Sequence, residues 1–338
     1  MNPRAVMPAE FEPHEETLMC WPHRTEIWDG RLSDAEHAYA ATAAAIARFE
    51  PVTMVAHPGD VERAASACGE GITVVEIAID DSWARDSGPI WVRQGTGRVA
   101  LDFVFKVTRR PPPTLPPDHA DDAALAGRIA GHLSHPYRSV SMVLEGGSIN
   151  VDGAGNLVTT MQCLLHPNRN PEMSMVDIEL ALGRDLGVDS VVWLPHGLVL
   201  DHDTDGHVDN VAAFVAPYHL LLQGCSDARE DDHARLIVNE QVARAAVSDE
   251  GSPFRVDTVP VLPFLDTPNG RVVVPYLNFY VGNGFVAVPV CGHPADDEML
   301  SLIGTFFPRR EVIGLDVGEI LAVGGGGIHC ITQQIPAG

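Results

Sequence analysis

A cysteine that follows a run of four glycines is the most reactive-looking feature of the chain. Residues 324–334 read GGGGIHCITQQ, which places Cys330 directly after His329. Glycine adopts backbone conformations that other residues avoid, and it lets another group approach the main chain closely. Because a thiolate is a strong nucleophile, we interpret Cys330 as a candidate catalytic nucleophile in a tight loop.

The remaining cysteines give no sign of a metal or redox site. The chain has six cysteines, and no two of them form a CxxC pair. Zinc ribbons and thioredoxin-like sites are therefore disfavoured. Free cysteine usually behaves as a small buried apolar residue. We expect this of Cys20, Cys68, Cys163, Cys225 and Cys291.

Two polar clusters stand where predicted strands end. The first, DDSWARDSGP, combines Trp83, Arg85 and Asp86 in a short turn. The second, LEGGSIN, places Glu145 between an apolar run and two glycines. Either motif alone has a structural alternative: a capping aspartate beside a buried tryptophan, or an exposed turn glutamate. Their occurrence together favours a functional site.

A third cluster, DHDTDGHVDN, imitates a calcium-binding loop. Its DxDxDG spacing matches the first half of an EF-hand, but the twelfth position is Ala212, where calcium needs a glutamate. The preceding residues 197–200 are typical of a strand and not of a helix. A zinc site using His202, His207 and Asp209 is a minority alternative. We favour His207 as a general acid and base, with Asp209 on the same side of an extended segment.

Together these residues favour a planar cationic substrate. The set contains one thiol, one histidine and several carboxylates: Cys330, His207, Asp86, Glu145 and Asp209. Two carboxylates about 4 Å apart repel by roughly 4 kcal/mol at an effective dielectric constant near 20. A guanidinium removes that repulsion, because its five N–H donors lie in a rigid fork that matches carboxylate oxygens. The same carboxylates should raise the pKa of Cys330, so we expect the thiolate to form chiefly once the cation is bound.

Strand and helix patterns alternate about five times along the chain. The pair Ser33 and Glu36 predicts a capping box for a helix that runs to Phe49. Further helices are predicted over residues 59–68, 120–133, 175–186, 231–247 and 295–307. Strands are predicted over residues 52–56, 72–77, 89–93, 98–104, 148–151, 157–160, 278–281 and 285–289. A spacing of roughly 60 to 70 residues suggests a repeated ββαβ unit, and the proline-rich residues 109–117 predict a surface loop.

Composition limits the classes of function. At 338 residues and 45% hydrophobic, the chain is long enough to bury a large core and to form one to three domains. A net charge of −24 disfavours nucleic acid and would attract a small cation. No apolar stretch of about 18 residues predicts a membrane span. We expect a cytoplasmic protein, with no membrane partner, in which the thiols need not pair.

The motifs carry a resemblance to a known family. The chain resembles the agmatine deiminases, of the guanidine-modifying (pentein) superfamily, which is related to bacterial-type peptidylarginine deiminases. The resemblance runs nearly end to end and rests on MPAEFEPHE, WPHR, DDSWARDSGPIWV, LEGGSINVDGAGNLVTT, CLLHPNRNP, DTDGHVDN, PYLNFYVGNG and GGGGIHCITQQ. It implies an α/β fold: a five-bladed ββαβ propeller with pseudo-fivefold symmetry, formed by a single catalytic domain over residues 1–338.

The resemblance also implies roles for the residues. Cys330 would attack the guanidinium carbon, His207 would carry protons, and Glu145, Asp86 and Asp209 would hold the guanidinium. A covalent S-alkylthiouronium intermediate would then be hydrolysed to a ureido product, without a metal or an organic cofactor. The residues expected to contact the substrate are Trp83, Arg85, Asp203 and Gly327. A homo-oligomer is a further expectation from the family.

Three departures from the family pattern bear on which guanidine is bound. The family usually reads WxFNxWG where this chain reads FVFKVTR, which adds Lys106 and Arg109. Asp203 replaces a glutamate that commonly receives the distal amine of the substrate, and Gly327 replaces an asparagine. Agmatine is the expected substrate. The alternatives are deimination or amidino transfer on another guanidine, and a non-catalytic polyamine-binding protein.

Overall fold

The structure is a computed structural model that describes residues 4–106 and 119–338. The predicted proline-rich loop at residues 109–117 lies outside the described residues. The strands are β1 Ala5–Val6, β2 His14–Cys20, β3 Val52–Ala56, β4 Ile72–Glu76, β5 Ile90–Gln94, β6 Gly97–Val104, β7 Tyr137–Val143, β8 Ile149–Val151, β9 Asn156–Thr160, β10 Ser190–Leu194, β11 Ala212–Ala216, β12 His219–Gln223, β13 Arg255–Val259, β14 Phe264–Thr267, β15 Gly270–Val273, β16 Tyr280–Gly282, β17 Phe285–Val290, β18 Glu311–Asp316 and β19 Thr332–Pro336. The α-helices are α1 Leu32–Ile46, α2 Val61–Cys68, α3 Ala84–Ser87, α4 Ala120–Ala123, α5 Leu125–His132, α6 Met161–Leu164, α7 Met175–Leu186, α8 Asp231–Ala245, α9 Asp296–Phe306 and α10 Gly318–Gly324.

Five of the six sheets formed by the described residues share one connectivity. Each contains an antiparallel pair whose second strand leads, through at least one helix, to a third strand that is parallel to it. A parallel neighbour requires such a crossover, whereas an antiparallel neighbour needs only a short turn. The five strand triplets are β5–β6–β7, β8–β9–β10, β11–β12–β13, β16–β17–β18 and β19–β2–β3. The chain therefore has a mixed α/β fold of several small sheets.

Strands from the two ends of the chain complete one of these sheets. Strand β19 pairs antiparallel with β2, with Thr332 opposite Met19, and β2 continues in parallel to β3. The pairing brings the segment that carries Cys330 onto a framework built by the first sixty residues.

A buried polar network fastens the β16–β17 turn to this sheet. The carboxylate of Glu50 accepts hydrogen bonds from the backbone N–H of Asn283 at 2.7 Å and from the hydroxyl of Tyr280 at 3.3 Å. The imidazole Nδ1 of His14 lies 3.1 Å from the same carboxylate, and both side chains are almost fully buried. Burial alone would raise the pKa of Glu50, but His14, Thr17 and the Asn283 N–H lower it below its usual range. Glu50 is therefore a charged hub of the network.

Most predicted elements are confirmed. Strand β3 and helix α7 have the predicted bounds, and the three predicted hairpins are β5–β6, β8–β9 and β16–β17. The predicted capping box is wrong, because helix α1 begins at Leu32 after Arg31, with no side-chain cap. The strand predicted over residues 197–200 is also wrong. That segment is a turn, in which Gly197 packs against Gly206 so closely that a side chain on Gly197 would collide with it.

No helix in the described part of the chain is both long and apolar enough to cross a membrane.

Replacing Glu50 with alanine should destabilise the fold. The change leaves His14, Tyr280 and the N–H of Asn283 without their buried acceptor, which costs about 3 to 5 kcal/mol for a broken buried ion pair. Urea denaturation followed by circular dichroism measures the loss. Glu240→Ala is the control, because Glu240 pairs with Arg244 on the surface of α8 and should cost less than about 1 kcal/mol. Equal losses for the two variants would contradict the structural role of Glu50.

Candidate active site

The candidate site residues come from equivalent positions of the five related sheets. In each sheet, a loop or short helical turn just before the first strand of the antiparallel pair carries one of them. Asp86 precedes β5, Glu145 precedes β8, Asp209 precedes β11, Asn278 precedes β16 and Cys330 precedes β19. Because the five loops hold equivalent places in their units, one repeated connectivity can bring distant parts of the chain to one point.

The environment of Gly147 shows that these loops converge. A Cβ atom added to Gly147 would lie 2.5 Å from His207 Nδ1 and 2.9 Å from both Asp209 Oδ2 and Asp86 Oδ1. The backbone N–H of Gly147 also donates to Asp86 Oδ1 at 3.0 Å. Only a residue without a side chain lets the three predicted groups approach this point together. The prediction that Glu145 precedes a close backbone approach therefore agrees with the structure.

Cys330 is buried beside an amide and a carboxylate. Its side chain is 4% exposed. The amide Nδ2 of Asn278 lies 3.3 Å from Cys330 Sγ, and Asp209 Oδ2 lies 3.5 Å from it. Asn278 Oδ1 accepts the backbone N–H of His329 at 3.0 Å. Asn278 thus fixes both the thiol and the main chain that carries it.

Most glycines in the run before Cys330 are needed because neighbouring groups pack closely against them, and not because they adopt a positive φ. Only Gly325 within the run has a positive φ, of 97°, where it ends helix α10. Cβ atoms on the other three glycines would collide with neighbours. At Gly326 a Cβ would lie 2.5 Å from the ring of Trp83 and 3.1 Å from Cys330 Sγ, and at Gly327 it would lie 2.4 Å from Asn278 Oδ1. Trp83 therefore packs directly beside the thiol.

His207 and the carboxylates around it present unpaired polar atoms. Three buried atoms have no hydrogen-bond partner among the described residues: both ring nitrogens of His207 and the Oδ1 of Asp209. His207 Nδ1 lies 3.8 Å from Asp86 Oδ1. Buried polar atoms are nearly always paired, so such a group marks a place where a polar ligand would bind.

Burial and mutual charge set the protonation of this group. Burial raises the pKa of Asp86 to about 6, with His207 opposing the rise and Asp209 and Glu145 adding to it. Burial lowers the pKa of His207, but Asp86, Cys163 and Glu145 outweigh it and raise that pKa well above its ordinary value. At neutral pH, His207 is therefore an imidazolium able to give up a proton.

The thiol of Cys330 is neutral in the free protein. Burial raises its pKa well above the ordinary value, and Asp209 and Asp86 raise it further. The N–H of Gly327 and the amide of Asn278 oppose the rise. The expected direction is confirmed, but burial is a larger cause than the carboxylates named from the sequence.

Glu145 is held by a cation that sequence reasoning did not assign. Arg169 Nε lies 3.1 Å from each oxygen of Glu145, and its Nη1 donates to Asp205 at 2.6 Å. Arg169 lies in the quoted motif CLLHPNRNP, which was the available signal. Likewise, Asn278 lies in PYLNFYVGNG and Glu10 in MPAEFEPHE. Their roles escaped prediction because nothing in the sequence shows which loops meet.

The predicted substrate contacts divide into different environments. Trp83 and Gly327 adjoin Cys330, as described above. Arg85 is buried, and its guanidinium donates to Glu10 at 3.0 Å and to Gln334 at 2.7 Å. Arg85 thus links the N-terminal Glu10 to strand β19, which follows Cys330. Asp203 is half-buried in the turn that leads to His207.

Two groups of potential metal ligands occur in the described part of the chain. Their ligand atoms lie within 4.8 Å of one another, and the groups are His23, His57 and Asp60, and Glu145, Cys163 and His207. Each group holds a carboxylate that already pairs with an arginine, Asp60 with Arg63 and Glu145 with Arg169. The zinc alternative named His202, His207 and Asp209, but these three form neither of the two groups, and His202 is exposed.

The fold and the site define an α/β protein in which a buried cysteine, a charged histidine and several carboxylates meet at loops from five sheets. The family profile of Porphyromonas-type peptidyl-arginine deiminase matches residues 6–336. The chain therefore belongs to the Porphyromonas-type peptidyl-arginine deiminase family.

Individual relatives are similar along nearly the whole chain. It is 40% identical to the agmatine deiminase of Stutzerimonas stutzeri (strain A1501), with 98% of this chain and 95% of that protein covered. Identity and coverage are the same for the agmatine deiminase of Pseudomonas aeruginosa (strain UCBPP-PA14). The solved structure of the agmatine deiminase of Enterococcus faecalis matches with a TM-score of 0.92 at 30% identity, covering 98% of this chain and 96% of that one.

Alkylation of Cys330 in the free protein should be slow at neutral pH and should accelerate as the pH rises. The raised pKa keeps the thiol protonated until alkaline pH, and Asp209→Asn should lower that pKa by removing a neighbouring negative charge. Iodoacetamide labelling with peptide mass spectrometry gives the rate at each pH. Cys291 is an internal control, because its pKa of about 11 follows from burial and from Asp296. An apparent pKa below 7 for Cys330 without ligand would contradict a neutral thiol in the free protein.

Proposed function

We propose that this chain hydrolyses agmatine to N-carbamoylputrescine and ammonia. The observation that carries the proposal is the buried thiol of Cys330 beside Asp209. Among the described residues, Oδ1 of that aspartate and both ring nitrogens of His207 are buried without a hydrogen-bond partner. Relatives at 40% identity are agmatine deiminases, and the net charge of −24 suits a cationic substrate. The reaction breaks a C–N bond of a linear amidine, so the enzyme is a hydrolase.

The proposed reaction begins with the thiol. A bound guanidinium and the His207 imidazolium reverse the negative field around Cys330, and the thiol releases its proton to solvent. The thiolate attacks the guanidinium carbon and forms a C–S bond. The C–N bond to one terminal nitrogen then breaks, His207 gives that nitrogen a proton, and ammonia leaves. An S-alkylthiouronium remains on Cys330.

Water completes the proposed cycle. Neutral His207 takes a proton from a water molecule, and the resulting hydroxide attacks the thiouronium carbon. The C–S bond breaks, the ureido product leaves, and Cys330 is regenerated. No electrons are exchanged with another molecule, so these steps need no redox partner. The chemistry proposed here uses neither a metal nor an organic cofactor.

The carboxylates would orient the guanidinium. In this proposal Asp86 and Asp209 accept its N–H groups, and Glu145, fixed by Arg169, adds charge next to His207. Trp83 packs against the substrate chain beside Cys330. Asp203 and Gly327 keep their predicted substrate contacts as part of the proposal. For Arg85 we propose a positioning role in place of substrate contact, because its donors already bind Glu10 and Gln334.

We further propose that the five related sheets form a pseudo-fivefold propeller within a single catalytic domain over residues 1–338. The shared connectivity and the equivalent origin of the five site loops support this arrangement. A homo-oligomer and a cytoplasmic location stay predictions, which sedimentation and cell fractionation would test.

Ammonia release from a panel of guanidines tests the proposed function. Agmatine should be the preferred substrate over arginine, guanidinobutyrate, guanidinopropionate and peptidyl arginine. Cys330→Ala should lower kcat by at least about 10³-fold, because nucleophile and base act as a unit. Cys225→Ala is the control, since Cys225 is a buried thiol in another core cluster. Preference for another guanidine would favour the alternative deiminase. Formation of an amidino product without ammonia would favour the transferase. No turnover of any guanidine in the panel would favour a binding protein.

The value of kcat/KM for agmatine should fall as the pH drops below about 6. Asp86 has a raised pKa of about 6, so it becomes protonated below that pH and loses the charge that attracts the guanidinium. Initial rates at substrate concentrations well below KM give the profile, since kcat/KM reports groups of the free enzyme. A plateau that extends down to pH 4.5 would contradict this assignment to Asp86.

A further inference from the structure

A second histidine, His329, lies between two buried carboxylates directly before the candidate nucleophile. Its Nδ1 lies 2.9 Å from Asp209 Oδ2, and its Nε2 lies 2.9 Å from Glu10 Oε2. The three residues are between 3% and 9% exposed. An ionised carboxylate can only accept hydrogen bonds. With both carboxylates ionised, both ring nitrogens must donate, and His329 is an imidazolium.

The surrounding charges keep the two carboxylates ionised. Arg85 Nη2 donates to Glu10 Oε2 at 3.0 Å, and the N–H of Val281 donates to Glu10 Oε1 at 2.8 Å. Burial raises the pKa of Glu10, but His329 and Arg85 outweigh it and bring that pKa to about 2. Burial also raises the pKa of Asp209, against His329, His207 and Arg85, which together lower it. Two buried anions and two buried cations therefore form a compensated row, Asp209, His329, Glu10 and Arg85.

We propose that His329 is a positioning residue that acts through Asp209, holding Oδ2 beside Cys330 Sγ and leaving Oδ1 directed at the guanidinium. Oδ2 accepts from His329 and lies 3.5 Å from the thiol, whereas Oδ1 is buried without a partner in the described residues. Glu10 completes the row by fixing the other face of the ring. The inference rests on the proposed function, because it assigns a residue to the reaction at Cys330.

Loss of the His329 proton should therefore impair the reaction. A neutral ring would present a lone pair to a carboxylate oxygen at 2.9 Å, and the repulsion would turn either Asp209 or Glu10 away. Among the described residues, the charged groups that act on the ring are Asp209, Glu10 and Arg85, and the next residue carries the titratable thiol of Cys330. Burial and Arg85 lower the pKa of His329, but Glu10 and Asp209 raise it above its ordinary value. The imidazolium therefore persists to a higher pH than that of an ordinary histidine and is lost as the pH rises further.

Two substitutions of His329 distinguish its hydrogen bond to Asp209 from its hydrogen bond to Glu10. Asparagine places its amide nitrogen near the position of Nδ1, so His329→Asn keeps a donor for Asp209. Glutamine reaches the position of Nε2, so His329→Gln keeps a donor for Glu10 only. We expect kcat/KM for agmatine to fall about 100-fold in His329→Gln, the cost of a displaced catalytic group, and about tenfold in His329→Asn. The decline of kcat/KM that follows His329 deprotonation should vanish in His329→Asn.

The matched control is His219→Asn. His219 on strand β12 has its Nε2 2.8 Å from Asp257 Oδ2 on strand β13 and belongs to no part of the candidate site, so kcat/KM and its pH profile should stay unchanged. Circular dichroism establishes that each variant is folded. Wild-type kcat/KM and an unaltered pH profile in both folded His329 variants would overturn the inference.

A titration that needs no substrate tests the same row of charges. With ¹³C-labelled histidine, NMR follows the His329 ring in the ligand-free protein, and the spectrum of His329→Asn identifies its signal among the 15 histidines. The pKa of His329 should lie above its ordinary value of about 6.5 and fall toward that value in Glu10→Gln. Titration of wild-type His329 at or below about 6.5 would overturn the inference. A raised pKa in a protein that turns over no guanidine would sink the proposed function but leave the charged row intact.

Discussion

The burial of several carboxylates around a thiol is the constraint on which the rest of the site depends. Asp209 and Glu145 raise the pKa of Asp86, and Asp209 and Asp86 raise that of Cys330. An unpaired buried charge costs several kcal/mol. Arg169 offsets the negative charge of Glu145, and His329 offsets that of Asp209. Among the described residues, Asp209 Oδ1 is left buried without a hydrogen-bond partner. In the proposed reaction, the guanidinium that binds there also favours the thiolate of Cys330.

The fold meets this constraint by repetition. Each of five small sheets contributes a loop at the same place in its connectivity, so groups more than two hundred residues apart in sequence meet within a few ångströms. Glycine is required where the loops touch: Gly147 leaves room for three polar groups, and Gly326 leaves room for Trp83 beside the thiol. Strand β19 and strand β2 pair, which anchors the Cys330 loop in the same framework as the others.

The sequence indicated the candidate reactive groups more readily than the residues that contact and orient them. Cys330, His207 and the three carboxylates were found because their chemistry is unusual near glycines and strand ends. Asn278, Arg169 and His329 were missed as site residues, since an amide, an arginine or a histidine within a loop is usually ordinary. The predicted capping box failed for a related reason. The local pattern shows that Ser33 and Glu36 could cap a helix, but the helix begins earlier, at Leu32, and has no side-chain cap.

The sequence by itself determined the α/β alternation, the bounds of several hairpins and helices, the excess of negative charge and the choice of candidate reactive groups. These depend on local periodicity, turn residues and composition, which are written along the chain. Only the tertiary structure decided which loops meet, that Arg85 braces Glu10 and Gln334, and that His329 is shared by Asp209 and Glu10. The physical reason is that burial and pairing set the charge of a group, and both arise from residues that are distant in sequence.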